Sequence, residues 1–310
     1  MRKQQIMPTE ISLINRQGIG KAFGTFGELL QGILPGNKNF LVTLPIQKYS
    51  TCLFSVSLNS SVLHVEPEHK IKTLQFARKV LYHFNLPLSG KVLINSELEE
   101  GKGLASSTAD LVATARAIEN CYSLSIPISL LEDMIREIEP SDGIMYPGVV
   151  SYYHKEVKLK KALGSCPSIS ILAIDEGGTI DTIAFNQCDV SYSELIKNEY
   201  KNLLSKLTIA IETNDINMLG KVTTRSAELN QSISPKTNLD LLKGINSKIG
   251  GAGIVIAHSG TLLGIILSKN DPNYYFKLQY GISELKKQHL ESQVFHSFED
   301  KEEFYENIHN

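Results

Sequence analysis

The stretch Glu99-Glu-Gly-Lys-Gly-Leu-Ala-Ser-Ser-Thr-Ala-Asp-Leu111 constrains this chain most. Gly101 and Gly103 favour a tight turn. Ser106, Ser107 and Thr108 follow, and from there an alanine-rich run to Leu124 reads as a helix. Hydroxyls at a helix start can cap it, bond a phosphate oxygen or ligate Mg²⁺. The helix dipole and converging N–H groups make the same place an anion site. The spacing matches neither GxxxxGK[ST] nor GxGxxG. Taken alone, the stretch reads as a capped helix after a glycine turn, with a phosphate cradle as the alternative.

Around it, β-like runs (18–24, 40–46, 50–58, 61–66, 91–95) surround a helical pattern at 71–84. A second helix is expected over 127–139, a hairpin over 148–163, and strands over 168–175 and 179–185. The pattern is helical from 192 to 249. A strand pair over 253–267, a helix over 272–288 and a strand over 292–298 follow. Strands and helices mix without strict alternation, which favours an α+β fold over a doubly wound sheet. Two domains are expected in 310 residues, with a boundary near 163 where the pattern changes.

The net charge of −2 gives no electrostatic case for nucleic acid. No apolar stretch approaches the ~20 residues of a membrane span, so no membrane partner is expected. Cys52, Cys121, Cys166 and Cys188 lie far apart without CxxC spacing. They read as reduced thiols of a cytoplasmic protein.

Several blocks carry a resemblance. Gly103-Leu-Ala-Ser-Ser-Thr-Ala109 is similar to the second signature of the GHMP kinases. The blocks 23–32 (FGTFGELLQG), 40–50, 100–110 (EGKGLASSTAD), 139–143 (EPSDG), 225–231 (RSAELNQ) and 257–265 (AHSGTLLGI) resemble the L-threonine kinases of cobalamin biosynthesis, in the same order. The resemblance implies a two-domain GHMP kinase fold. Residues 1–163 would form an N-terminal α/β domain with a left-handed βαβ unit, and residues 164–310 a ferredoxin-like C-terminal domain. The active site would lie between them. The implied reaction is ATP- and Mg²⁺-dependent phosphorylation of the L-threonine hydroxyl, serving cobalamin nucleotide-loop assembly. Another GHMP activity, on homoserine, serine or an isoprenoid alcohol, and a non-catalytic binding relative are the alternatives. ATP and an amino acid are the expected partners, with a homodimer as the candidate assembly.

By the same resemblance, the ATP phosphates would lie over Gly101, Lys102, Gly103, Leu104, Ala105, Ser106, Ser107 and Thr108, with Ser107 as the Mg²⁺ ligand. Lys102 is equally readable as a solvated loop lysine. Asp142 would be the catalytic base, or would orient the substrate amine or a cation. Glu28 and Gln31 would meet the amino acid, although Glu28 also reads as a helix-start glutamate. The family's usual basic residue is missing from the first block, with Lys21 nearby. Asn230 and Gln231 would bond the substrate carboxylate or cap their helix. His258 would contact substrate or phosphate, or be satisfied within its turn, and Ser259 would meet the substrate from a turn with Gly260 that faces the cleft. Arg225 is either a carboxylate or phosphate fork or an exposed helix arginine.

Overall fold

The structure is a computed structural model that describes residues 16–57, 62–178 and 192–298. The strand expected over 179–185 and Cys188 lie outside the described residues. Two long strands, β1 (Gln17–Leu34) and β2 (Lys38–Ser55), form an antiparallel hairpin. Gly36 and Asn37 take positive φ at its tip. Strand β3 (Leu63–Glu66), helix α1 (Ile71–His83) and strand β4 (Gly90–Ser96) make a βαβ unit, with β3 and β4 paired in parallel. Helices α2 (Ser106–Tyr122) and α3 (Ile128–Arg136) follow. The expected hairpin is β5 (Val149–Tyr153) and β6 (Lys158–Gly164).

The second half begins with β7 (Ile169–Asp175). Three helices follow: α4 (Glu194–Glu212), α5 (Ile216–Asn230) and α6 (Leu239–Ile249). It closes with β8 (Gly253–Ile256), β9 (Leu262–Ser268), α7 (Tyr274–Lys287) and β10 (Gln293–His296). The sheet runs β10-β7-β9-β8-β1-β2-β4-β3, with β5 on β2 and β6 on β5. Its two halves meet through one pairing, Glu28 opposite Ile256. The register of β1 slips on either side of Glu28, and Gly27 takes a positive φ of 48°. Glu28 therefore sits on a β-bulge rather than at a helix start, and such bulges re-aim side chains.

Helix α2 is buried on nearly every side, as its alanines allow. It lies directly on β1: a Cβ at Gly18 would stand 2.2 Å from the Ala117 oxygen, and one at Gly20 2.2 Å from the Ala113 oxygen. One apolar cluster draws on both halves, from Phe23 and Phe76 to Leu207 and Phe295. A second packs α6 and α7 against β7, β8 and β9 through Leu242, Ile245, Leu285, Leu172, Ile254 and Leu263. Cys52, Cys121 and Cys166 are free and buried. Burial pushes the Cys52 and Cys166 thiols up to about 12. No helix among the described residues is long and apolar enough to cross a membrane.

Candidate active site

Glycine geometry builds the head of α2. Gly101 and Gly103 take φ of 73° and 85°, and Ala105 enters the helix in the left-handed region at 56°. No side chain caps this helix. The capped-helix reading of the sequence is thereby corrected: two of the three hydroxyls expected to cap have other partners. Ser107 donates to Glu139, and Thr108 bonds Asp142. The first N–H groups of α2 are left for a ligand.

The loop is pinned on two sides. The Gly27 N–H donates to the Gly103 carbonyl at 2.9 Å, and the Thr25 N–H to the Leu104 carbonyl at 3.2 Å. On the other side the 258–260 turn presses against it. A Cβ on Gly260 would stand 2.1 Å from the Lys102 oxygen, and one on Gly103 2.3 Å from the Ala257 Cβ.

A cleft of about 440 Å³ opens over this loop. Of the residues expected at a site, Gly101, Gly103, Leu104, Ala105, Ser106, Ser107, Thr108, Asp142, Glu28, Gln31 and Ser259 line it. Asp142 sits in a turn that Gly143 makes possible: Gly143 has φ 72°, and a Cβ there would stand 2.7 Å from the Tyr152 ring. Removal from water pushes the Asp142 carboxyl up to about 7, helped by the negative charges of Glu28 and Glu139 and opposed by the Thr108 hydrogen bond. That value suits a base working near neutrality.

Glu28 is buried at the sheet junction. Its Oε2 accepts from the His258 backbone N–H at 3.1 Å and meets the His258 Nδ1 at 2.8 Å. The His258 Nε2 lies 2.9 Å from the Ser226 Oγ. With Nδ1–H donating to the carboxylate, Nε2 accepts from the serine hydroxyl.

Three expectations are corrected, and the open reading of Arg225 is decided. His258 does not line the cleft; it stands behind Glu28 and fixes it. Lys102 is neither a solvated lysine nor part of the cleft lining. Its Nζ pairs with Asp175 Oδ2 at 2.5 Å and donates to the Gly178 carbonyl at 2.8 Å. Asn230 and Gln231 are absent from the cleft lining. The Asn230 amide donates to the Ser234 carbonyl, while Gln231 donates to the Lys236 carbonyl and accepts from the Lys236 N–H. Both finish α5, the second of the two readings the sequence left open. Arg225 pairs with Glu199 at 2.6 Å and Glu228 at 3.3 Å, so its fork is taken.

The cleft also contains residues that the sequence did not single out. Lys70 pairs with Glu100 and with buried Asp110, each at 2.6 Å, and Ser50 donates to the other Asp110 oxygen at 2.6 Å. Lys72 pairs with Glu139, the acceptor of the Ser107 hydroxyl. Lysines 70 and 72 lie before and inside the first turn of α1, where a helix pattern marks them as ordinary surface charges. No three His, Cys, Asp or Glu side chains cluster as a metal site among the described residues. Mg²⁺ does not need such a cage: it takes one or two protein oxygens beside phosphates and water. Ser107 and Glu139 supply hard oxygens of that kind at the head of α2.

A family profile, GHMP kinases N terminal domain, matches residues 71–152, from α1 through β5. The L-threonine kinase of Salmonella typhimurium is 27% identical over 251 residues, which are 78% of this chain and 80% of that protein. That of Citrobacter freundii is 25% identical, over 79% of this chain and 84% of that protein. Homoserine kinase from Cytophaga hutchinsonii has the same fold, with a TM-score of 0.70 at 15% identity over 96% of this chain and 98% of that one. Residues 71–152 match the GHMP kinases N terminal domain, and over most of its length the chain is similar to the L-threonine kinases, which supports an alcohol-phosphorylating kinase.

Proposed function

We propose that this kinase transfers the γ-phosphoryl group of ATP to the hydroxyl of L-threonine, giving O-phospho-L-threonine and ADP. One observation carries the reading. Asp142, a carboxyl near neutrality, is hydrogen-bonded to Thr108 on the first turn of the uncapped α2. A base and a phosphate platform thus touch. In this reading the N–H groups of residues 106–108 and the Gly101–Gly103 backbone hold the phosphates. Ser107 and Glu139 hold Mg²⁺, which neutralises charge on the transferring group. Asp142 takes the acceptor's hydroxyl proton, and Glu28, held by His258, receives the α-ammonium. Gln31 faces the same acceptor. Catalysis is then mostly positioning and electrostatic stabilisation.

The scarcity of free cations supports a small zwitterion over an isoprenoid phosphate. Lys70, Lys72 and Lys102 are each paired with a carboxylate. Service to cobalamin assembly and a cytoplasmic location belong to this proposal and rest on the likeness to the L-threonine kinases alone.

ADP release with L-threonine, L-serine, L-homoserine and mevalonate, each with ATP and Mg²⁺, tests it. Threonine is expected to give the highest kcat/KM; mevalonate as the preferred acceptor, or no release with any amino acid, overturns the reading. Asp142→Asn is expected to lower kcat by about 10²- to 10⁴-fold. A loss smaller than about 10-fold removes Asp142 from the base role.

A further inference from the structure

With Asn230 and Gln231 committed to the end of α5, the amino acid's carboxylate needs another receptor. Among the described residues, a few buried side-chain polar atoms have no hydrogen-bond partner, and three belong to residues lining the cleft. These are Gln31 Oε1, Ser141 Oγ and His154 Nδ1. Ser141 and His154 are 2% and 5% exposed, so water does not satisfy them freely. Burying an unpaired polar group costs about 1–3 kcal/mol, and two such groups side by side mark a place built for a ligand. They are joined through the main chain: the Ser141 N–H donates to the His154 carbonyl at 3.1 Å. Both flank Asp142, Ser141 as its neighbour in sequence and His154 at the end of β5.

Charge decides which part of a ligand they take. Glu28 and Asp142 supply the negative side of the cleft and suit an ammonium. Ser141 and His154 carry no negative charge. Burial, with Lys155 and His258 nearby, pushes the His154 imidazole down to about 3, so the ring is neutral. A neutral ring with its proton on Nδ1 and a serine hydroxyl are both donors, and a carboxylate is an acceptor only. Resting on the threonine-kinase reading above, we propose that Ser141 Oγ–H and His154 Nδ1–H together receive the α-carboxylate of the acceptor amino acid. Gln31 Oε1, an acceptor, then belongs with Glu28 on the ammonium side. The cleft is thereby selective for a hydroxy amino acid over an amino alcohol of the same length.

The test compares L-threonine with 1-amino-2-propanol, which lacks the carboxylate, and with 3-hydroxybutyrate, which lacks the amine. Wild type, Ser141→Ala and His154→Phe are assayed with ATP and Mg²⁺, and folding is checked by near-ultraviolet circular dichroism. Each variant is expected to raise KM for threonine about 10- to 100-fold, as loss of a hydrogen bond to a charged group predicts, with KM for ATP unchanged. The kcat/KM for 1-amino-2-propanol stays level, so the preference for threonine over it shrinks by the same factor. His154→Asn, which returns a donor near the Nδ1 position, is expected to restore most of that preference. An intact preference in either folded variant overturns the proposal. So does a loss of discrimination against 3-hydroxybutyrate instead, which would place the two groups on the ammonium. Should His154→Phe fail to fold, His154→Leu, which also removes the donor, takes its place, and an intact preference in it overturns the imidazole's part. Wild type inactive on every hydroxy amino acid sinks the kinase reading itself; wild type active on threonine with unaltered variants sinks only this inference.

Discussion

Burial lifts the Asp142 carboxyl from 3.8 to about 7, and that has a consequence for stability as well as for catalysis. Between those two values the folded chain keeps a proton that the unfolded chain has released. Stability changes with pH as the protons bound by the unfolded state minus those bound by the native state. That difference is negative here, so this group's contribution falls as pH rises through the window and is fully unfavourable above it. Asp142→Asn is therefore expected to unfold at higher denaturant concentration than wild type at pH 8, by on the order of 1–4 kcal/mol. The gain should vanish near pH 3, below 3.8, where both states hold the proton. Urea titrations at the two pH values check it; equal gains at both refute the assignment. In kinetics, a base of this kind makes kcat/KM rise with pH through an apparent value near 7. Asp142 stood out in the sequence through the resemblance of its block, 139–143, because the turn between Pro140 and Gly143 taken alone is commonplace. Ser141 and His154 did not: a serine in a turn and a histidine in a hairpin are commonplace until their burial is known.

At the scale of elements, the glycine loop and the turn after β8 act as one piece. Gly260 is the contact that lets them meet, since its missing Cβ would stand 2.1 Å from the Lys102 oxygen. Gly260→Ala should force the two backbones apart, costing about 1–3 kcal/mol as overpacking does. The expected readouts are a lowered melting temperature and a KM for ATP that rises more than the KM for the acceptor. An unchanged KM for ATP would separate the turn from the phosphate loop. Most helices and strands of the fold could be read from local pattern, including the 148–163 hairpin and the helix after Ser106. The first block could not. Phe26, Leu29 and Leu30 have helix-like spacing, yet Gln17–Leu34 is one strand buried on both faces, so the period-two alternation that marks a strand is missing. The ion pairs of Lys70, Lys72 and Lys102 escaped for a related reason. Their partners lie 40, 67 and 73 positions away, counting Asp110 minus Lys70, Glu139 minus Lys72 and Asp175 minus Lys102, and no local spacing encodes that.

For the molecule as a whole, we keep the division near 163 as a proposal about connectivity. The two halves share one sheet, and a single apolar cluster takes residues from both. Equilibrium unfolding in urea is therefore expected to show one transition, coincident by fluorescence and far-ultraviolet circular dichroism. Two separated transitions would mean that each half holds a core sufficient for itself. The cleft reaches the place where those halves meet, at Glu28 opposite Ile256, so the proposed amino-acid pocket depends on the join being closed. The open head of α2 gives that join a particular character. This helix is buried on nearly every side, yet its first turn has no cap of its own. A nucleotide's phosphates would supply the missing partners, so substrate acts as the last structural component of the enzyme. On the proposed reading, each catalytic cycle would complete that first turn of α2 and open it again.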